Sequence, residues 1–258
     1  MTGHSHPRRV YTYPRHVRVL LNFFSEQMAA TNETVLTKIA EAFNELADDV
    51  NSPSTPPRLS LIKFCSACRL LSPLIGCMGI ACRFADIEFS AKVDELTTAS
   101  ESIDTIEALI DLDIAHNTGK NSWSNSRNLI RANRTVDLLR IMFEQILAQR
   151  GNFLTGPGLT AYEQVFAPYH SMAMKTAVRA VALTIPTKAR VLRKLNENDM
   201  FMFDYRTNFQ LIHLLVRFSE ASASVQIQKF VIASSAVIQY IKDLFHSTEY
   251  GDELLGMI

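Results

Sequence analysis

The chain is 258 residues long, with 26 basic and 26 acidic side chains and no formal net charge. That balance argues against a general nucleic-acid binder, whose footprint is basic overall. Hydrophobic residues at 47% against 20% charged exclude a disordered chain, and the length suits one large domain or two small ones with a substantial core.

Residues 1–27 form an acid-poor leader as far as Ser25, carrying Arg8, Arg9, Arg15 and Arg18, and are expected to be a disordered extension. An organelle-targeting peptide has a similar composition. From Met28 the periodicity turns helical. "ETVLTKIAEAFNELADDV" places Val35, Ile39, Phe43 and Leu46 on one stripe of a helix. "NSPSTPP" (51–57) is a linker with three prolines. A long helical stretch is expected from Leu59, kinked near Pro73 and Gly76 and continuing through "RFADIEFSAKVDELTTAS". "SIDTIEALIDLDIAH" predicts a helix capped at Ser102. "SNSRNLIRANRTVDLLRIMFEQILAQRG" predicts one that stops at Gly151. After the loop "GNFLTGPG", a helical pattern runs to Pro186, and "TKARVLRKLNEN" and "SVQIQKFVIASSAVIQYIKDLF" complete the set. No segment predicts a strand pair with a hairpin turn. The expected class is all-α with about eight helices.

The apolar run "LLSPLIGCMGIAC" is thirteen residues long, whereas a membrane-spanning helix needs about twenty, so a soluble protein is expected. Cys65, Cys68, Cys77 and Cys82 lie close together. "CSAC" is formally a C-x-x-C pair, but it sits inside an apolar helical pattern with no second pair and no nearby histidine. Buried free thiols are the expected reading.

Nothing in the chain pairs a nucleophile with a base. It has no G-x-S-x-G, no H-E-x-x-H, no phosphate-cradling glycine loop and no His/Cys cluster at metal spacing. The chain is not expected to be an enzyme, and no cofactor or metal site is expected.

Three polar features stand out instead. "SRNLIRANR" stacks Arg127, Arg131 and Arg134 along one helical stripe, with no acid between Trp123 and Val136. "DIEFSAKVDEL" sets Glu88 and Lys92 four apart on one face, and His170 sits among apolar residues in "VFAPYHSMAMK". Each has a plain structural account: a wet face, a solvated helix pair, a satisfied core histidine. Arg134 is expected to be a flanking surface charge.

Taken in order, "CRLLSPLIGCMGIACRFADIEFSAKVDEL", "SRNLIRANR" and "EQVFAPYHSMA" resemble the glycolipid-transfer-protein superfamily, within it the plant accelerated-cell-death type of ceramide-1-phosphate carrier. The resemblance covers about Met28 to Asn198 and resumes from Ala221 to Phe245. It implies a two-layer α-helical sandwich with a headgroup site above an apolar pocket, and transfer of a sphingolipid between membranes. It implies that Glu88 accepts the ceramide amide N–H, that Lys92, Arg127 and Arg131 hold the headgroup phosphate, and that His170 donates to the amide carbonyl. Arginine where the sugar-binding branch has tryptophan, at Arg131, implies a phosphorylated rather than a glycosylated ligand. Candidate pocket residues are Phe43, Leu46, Phe64, Leu71, Phe84, Phe89, Val165, Phe166 and Ala173, for which ordinary core packing is the alternative.

The chain departs from the family in three places. Glu88 replaces an aspartate, which moves its carboxylate by about 1.5 Å. "HSM" at 170–172 replaces "HGW", and the segment 200–220 has no counterpart, as an extra helix or a product of altered splicing would. The domain is thus expected to span 28–258 with 200–220 as an atypical insert. The expected partners are ceramide-1-phosphate or a related phospho-sphingolipid and, transiently, a membrane surface. Nucleic acid is not expected, and the protein is expected to act as a cytoplasmic monomer peripheral to membranes. Lys188, Arg190, Arg193 and Lys194 suit an anionic membrane surface or a solvated helix face equally. A sensing or cell-death-regulating module that binds the lipid without net transport is the alternative function.

Overall fold

The computed structural model describes residues 34–52, 58–79, 82–196 and 209–257, the last range in backbone only as far as residue 220. The expected extension 1–27 and residues 200–208 of the expected insert lie outside the described residues.

Helix α1, Val35–Asn51, begins where the Thr34 hydroxyl accepts the N–H of Thr37 at 3.2 Å. That bond satisfies a donor the first turn leaves open. Ile39, Phe43 and Leu46 form its buried stripe, as the spacing predicts.

The single long helix expected from Leu59 is three: α2 (Leu61–Arg69), α3 (Ser72–Cys77) and α4 (Cys82–Ala99). Pro73 sits in the first turn of α3, where its missing N–H costs nothing. Beyond α3, Gly79 adopts φ +119°, a conformation that side chains resist, and no helix passes through it. On α4 the inward positions are Phe89, Val93 and Leu96.

Helix α5, Ile106–Ala115, is capped by Thr105, whose hydroxyl accepts the N–H of Ala108 at 3.2 Å. The expected cap Ser102 belongs to the preceding turn and donates to the carbonyl of Ala99. The stretches around Ser60 and Thr105 pair briefly, with Leu61 N–H on the Asp104 carbonyl and Ile106 N–H on the Leu59 carbonyl, each at 3.0 Å.

Helix α6, Asn125–Ala148, is 24 residues long and packs against α4, α5 and the helices that follow. It ends at an extended Gln149, not at a left-handed Gly151. Lys188 places its Nζ 3.0 Å from the carbonyl of Ile146, a cation among the unpaired carbonyls of the last turn. That side chain closes α6 rather than facing a membrane.

The expected run to Pro186 breaks at Pro168. Helix α7 (Thr155–Val165) gives way to a 3-10 turn (Ala167–Tyr169), and α8 (Met172–Ala182) restarts with Ser171 as its cap. Helix α9 (Lys188–Asn196) buries Val191, Leu192 and Leu195. Helix α10 (Phe209–His246) lies along α1 and α6, and α11 (Gly251–Leu255) returns beside it. Phe230 of α10 stands edge-on to Phe43 of α1 at 5.0 Å and to Phe143 of α6 at 5.7 Å, tying three helices together. The segment Ala221–His246 is long and apolar enough to cross a membrane. In the fold it buries Ile227, Phe230, Val237, Ile241 and Phe245 as a core face, while Gln228, Lys229 and Gln239 face outward.

Candidate functional site

Two helices and one turn carry the polar residues singled out by the sequence. Arg127 and Arg131 lie in successive turns at the start of α6, set there by Ser124, whose hydroxyl accepts the Arg127 N–H at 3.2 Å and donates to the Gly119 carbonyl at 2.9 Å. Ser126 gives its N–H to Asp113 Oδ2 at 2.7 Å, and Thr118 donates to Asp113 Oδ1 at 3.0 Å. Buried Asp113 therefore joins the end of α5, the 117–124 loop and the N-terminus of α6.

That loop also orients the guanidinium groups. Arg127 Nη1 points at the Lys120 carbonyl at 3.4 Å, and Arg131 Nη1 at the Ser122 carbonyl at 3.3 Å. Burial, and then the nearby Arg131 charge, push the Arg127 guanidinium below its ordinary pKa. An anion bound between the two would relieve that repulsion.

Lys92 is joined to this end of α6 indirectly. Its Nζ pairs with Glu95 at 3.2 Å, and Glu95 accepts from Asn128 Nδ2 at 2.5 Å. Asn128 is the residue next to Arg127, so the chain Lys92–Glu95–Asn128 holds α4 and α6 in register. Glu88, one turn before Lys92, is exposed and makes no hydrogen bond among the described residues. Asp86 turns elsewhere, its Oδ2 lying 3.9 Å from where a side chain at Gly76 of α3 would start.

His170 occupies the joint between the 3-10 turn and α8 with an extended backbone. Its Nδ1 is 2.9 Å from the Tyr162 hydroxyl, and its ring stacks on Phe166 at 5.8 Å. Burial, and secondarily Lys175, lower its pKa below the ordinary 6.5, so the imidazole is neutral at neutral pH.

Arg134 corrects the expectation of a surface charge. It is only 8% exposed, it lies 4.0 Å over the ring of Tyr169, and it donates to the carbonyls of Leu255 and, at 2.6 Å, Met257. It connects the arginine helix to the residue beside His170.

The expected pocket residues divide. Phe43, Leu46, Phe64 and Leu71 are fully buried, Phe89 and Val165 nearly so, and Phe166 is half-buried. Phe84 is 76% exposed and Ala173 is exposed, so neither lines an interior pocket in this structure. Phe84 precedes Phe89 by five residues, which rotates it about 140° from the buried stripe of α4. Ala173 lies on α8, where only Ala182 is buried. A cleft of 260 Å³ opens between α6, α7 and α10 and is bordered by Ile130, Arg134, Val165, Tyr169 and Phe245.

Across residues 59–197 the chain matches the model of the family described as Glycolipid transfer protein (GLTP). Accelerated cell death 11 of Arabidopsis thaliana is 38% identical over 217 residues, which cover 84% of this chain and 94% of that protein. The chain belongs to the glycolipid transfer protein family. A crystal structure of a variant of Accelerated cell death 11, complexed with ceramide-1-phosphate, matches with a TM-score of 0.73 and 38% identity, over 84% of this chain and 96% of that one. Apo mouse ceramide-1-phosphate transfer protein shares the fold at 14% identity, with a TM-score of 0.67 over 88% of this chain and 100% of that one.

Members of the glycolipid transfer protein family are lipid carriers with the all-α sandwich the sequence implied. Sequence reasoning missed the residues that brace the site: Asp113, Glu95, Asn128, Tyr162 and the 255–257 segment. Only Asp113 carried a signal, an acid at the position that continues the apolar stripe Ile106, Leu109 and Ile110 of its helix. The others are defined by contacts across the chain.

Proposed function

We propose that this protein moves a phosphorylated sphingolipid, of the ceramide-1-phosphate type, between membranes. The observation that carries the reading is the Arg127–Arg131 pair on successive turns of α6, each with Nη1 aimed at a carbonyl of the 117–124 loop. A phosphate monoester carries the opposite charge and meets planar guanidinium groups with paired hydrogen bonds. Lys92, one helix away and tied to Asn128, adds the third cation. The relative crystallised with ceramide-1-phosphate supports the same ligand.

In this reading Glu88 accepts the ceramide amide N–H. The Tyr162 hydroxyl donates to Nδ1 of His170, which leaves the proton on Nε2 to donate to the amide carbonyl. Burying hydrocarbon is worth about 0.8 kcal/mol per methylene, so a fifteen-methylene chain needs shelter worth on the order of 12 kcal/mol. Phe43, Leu46, Phe64, Leu71, Phe89, Val165 and Phe166 supply it when the helical layers part. No catalytic step is involved, and the protein works as a cytoplasmic monomer that touches membranes transiently. Phe84 and Ile87, 76% and 66% exposed, and Met172, 69% exposed, flank Glu88 and His170 in the chain and suit that contact.

The test is transfer from donor to acceptor vesicles, comparing ceramide-1-phosphate with a neutral glycosphingolipid. Arg127→Ala and Arg131→Ala should each remove a charged hydrogen bond, about 1.5–3 kcal/mol of binding. Preference for the sugar lipid, or unchanged transfer in both variants, refutes the proposal. Stoichiometric binding with negligible transfer replaces it with a lipid-sensing role.

A further inference from the structure

The segment from Tyr250 to Met257 is fastened to the arginine end of α6 at several points. Lys120, in the loop that orients Arg127, pairs with Glu253 at 2.6 Å and lies 4.6 Å over the ring of Tyr250. Arg134 donates to the carbonyls of Leu255 and Met257, and Met257 places its sulfur 3.9 Å from Arg127 Nη1.

Burying a guanidinium group is costly unless its donors are used. Arg134 is buried more deeply than its two neighbours on the stripe, and burial is the first cause of its lowered pKa. Its donors reach main-chain carbonyls in a segment more than a hundred residues away. Carbonyl acceptors fix the backbone of residues 255–257 and thereby the position of the Met257 side chain.

We propose that Arg134 is a positioning residue, holding residues 250–257 as a wall of the headgroup site so that Met257 limits which headgroups reach Arg127. A phosphate monoester fits between Arg127 and Arg131. A phosphate carrying a further alkyl substituent projects toward the thioether and is excluded. The inference rests on the proposed function and extends it from the charge of the headgroup to its size.

Three vesicle probes separate the possibilities: ceramide-1-phosphate, sphingomyelin (the same phosphate esterified to choline) and glucosylceramide as a neutral control. The parent protein is expected to prefer ceramide-1-phosphate to sphingomyelin. Met257→Ala should cut that preference by about fivefold or more, chiefly by admitting sphingomyelin. Arg134→Gln should do the same and also speed hydrogen exchange of the 250–257 amides, and Arg134→Lys should restore part of both.

Unchanged discrimination in Met257→Ala and Arg134→Gln, with ceramide-1-phosphate still transferred, overturns this inference alone. A parallel fall for all lipids, tracking a lower melting temperature, also overturns it, since that marks a purely structural anchor. A parent that extracts neither phospholipid overturns the proposed function, and this inference falls with it.

Discussion

Asp113 Oδ2 accepts the backbone N–H of Ser126 at 2.7 Å, joining the end of α5 to the turn that presents Arg127. The same carboxylate takes the Thr118 hydroxyl, so one buried acid sets both the arginine helix and the loop that orients its guanidinium groups. Asp113→Ala leaves the Ser126 N–H without a partner, at a cost of about 1–3 kcal/mol in stability. Ceramide-1-phosphate binding should weaken beyond what the lost stability explains. Urea unfolding and lipid binding on the same variant check both parts.

Phe230 is the shared edge of the α1, α6 and α10 packing, meeting Phe43 and Phe143. Phe230→Ala should cost about 3–5 kcal/mol, the range for deleting a buried aromatic ring. Phe230→Leu should cost markedly less, because it leaves a smaller void. Thermal or denaturant melts of the two variants test the ordering.

His170 has its pKa lowered by burial. Below the ordinary value of 6.5 the unfolded chain therefore binds the proton that the folded chain refuses. The unfolded state binds more protons in that window, so stability rises with pH there and falls as the solution is acidified from 6.5 downward. His170→Gln should flatten this part of the profile. Melts between about pH 7 and pH 5 read the difference, and identical slopes in parent and variant would contradict it.

Cys65 and Cys68 form the C-x-x-C pair, and both are buried inside α2. Burial pushes the Cys65 thiol up to about 11 and Cys68 well above its ordinary value. Neither is a usable thiolate at neutral pH. Alkylating reagents should leave both unmodified in the folded protein and modify both after unfolding, as read by intact mass. Rapid native labelling at Cys65 would show that α2 opens more readily than its packing implies.

Much of the fold was legible because helical signals are local. The stripe Ile39, Phe43 and Leu46 lies inward on α1 as its spacing demands, and the spacing of Arg127 and Arg131 alone places both on one face of α6. Helix breaks were read less well. Pro73 and Gly76 suggested a kink in one helix, but the chain divides into three, and Gly79 with φ +119° marks the end of α3. Thr105 outcompeted Ser102 as a cap because Ser102 still belongs to the turn closing α4.

By itself the sequence determined the helical class and the acid-free arginine stripe, since these depend on residue type and short spacing. Tertiary structure decided which side of each helix faces inward. It turned Phe84 out to solvent and buried Arg134 against carbonyls 121 and 123 residues further along the chain. Periodicity specifies a face without specifying its neighbour, and a guanidinium group finds distant main-chain acceptors only once packing has brought them within reach.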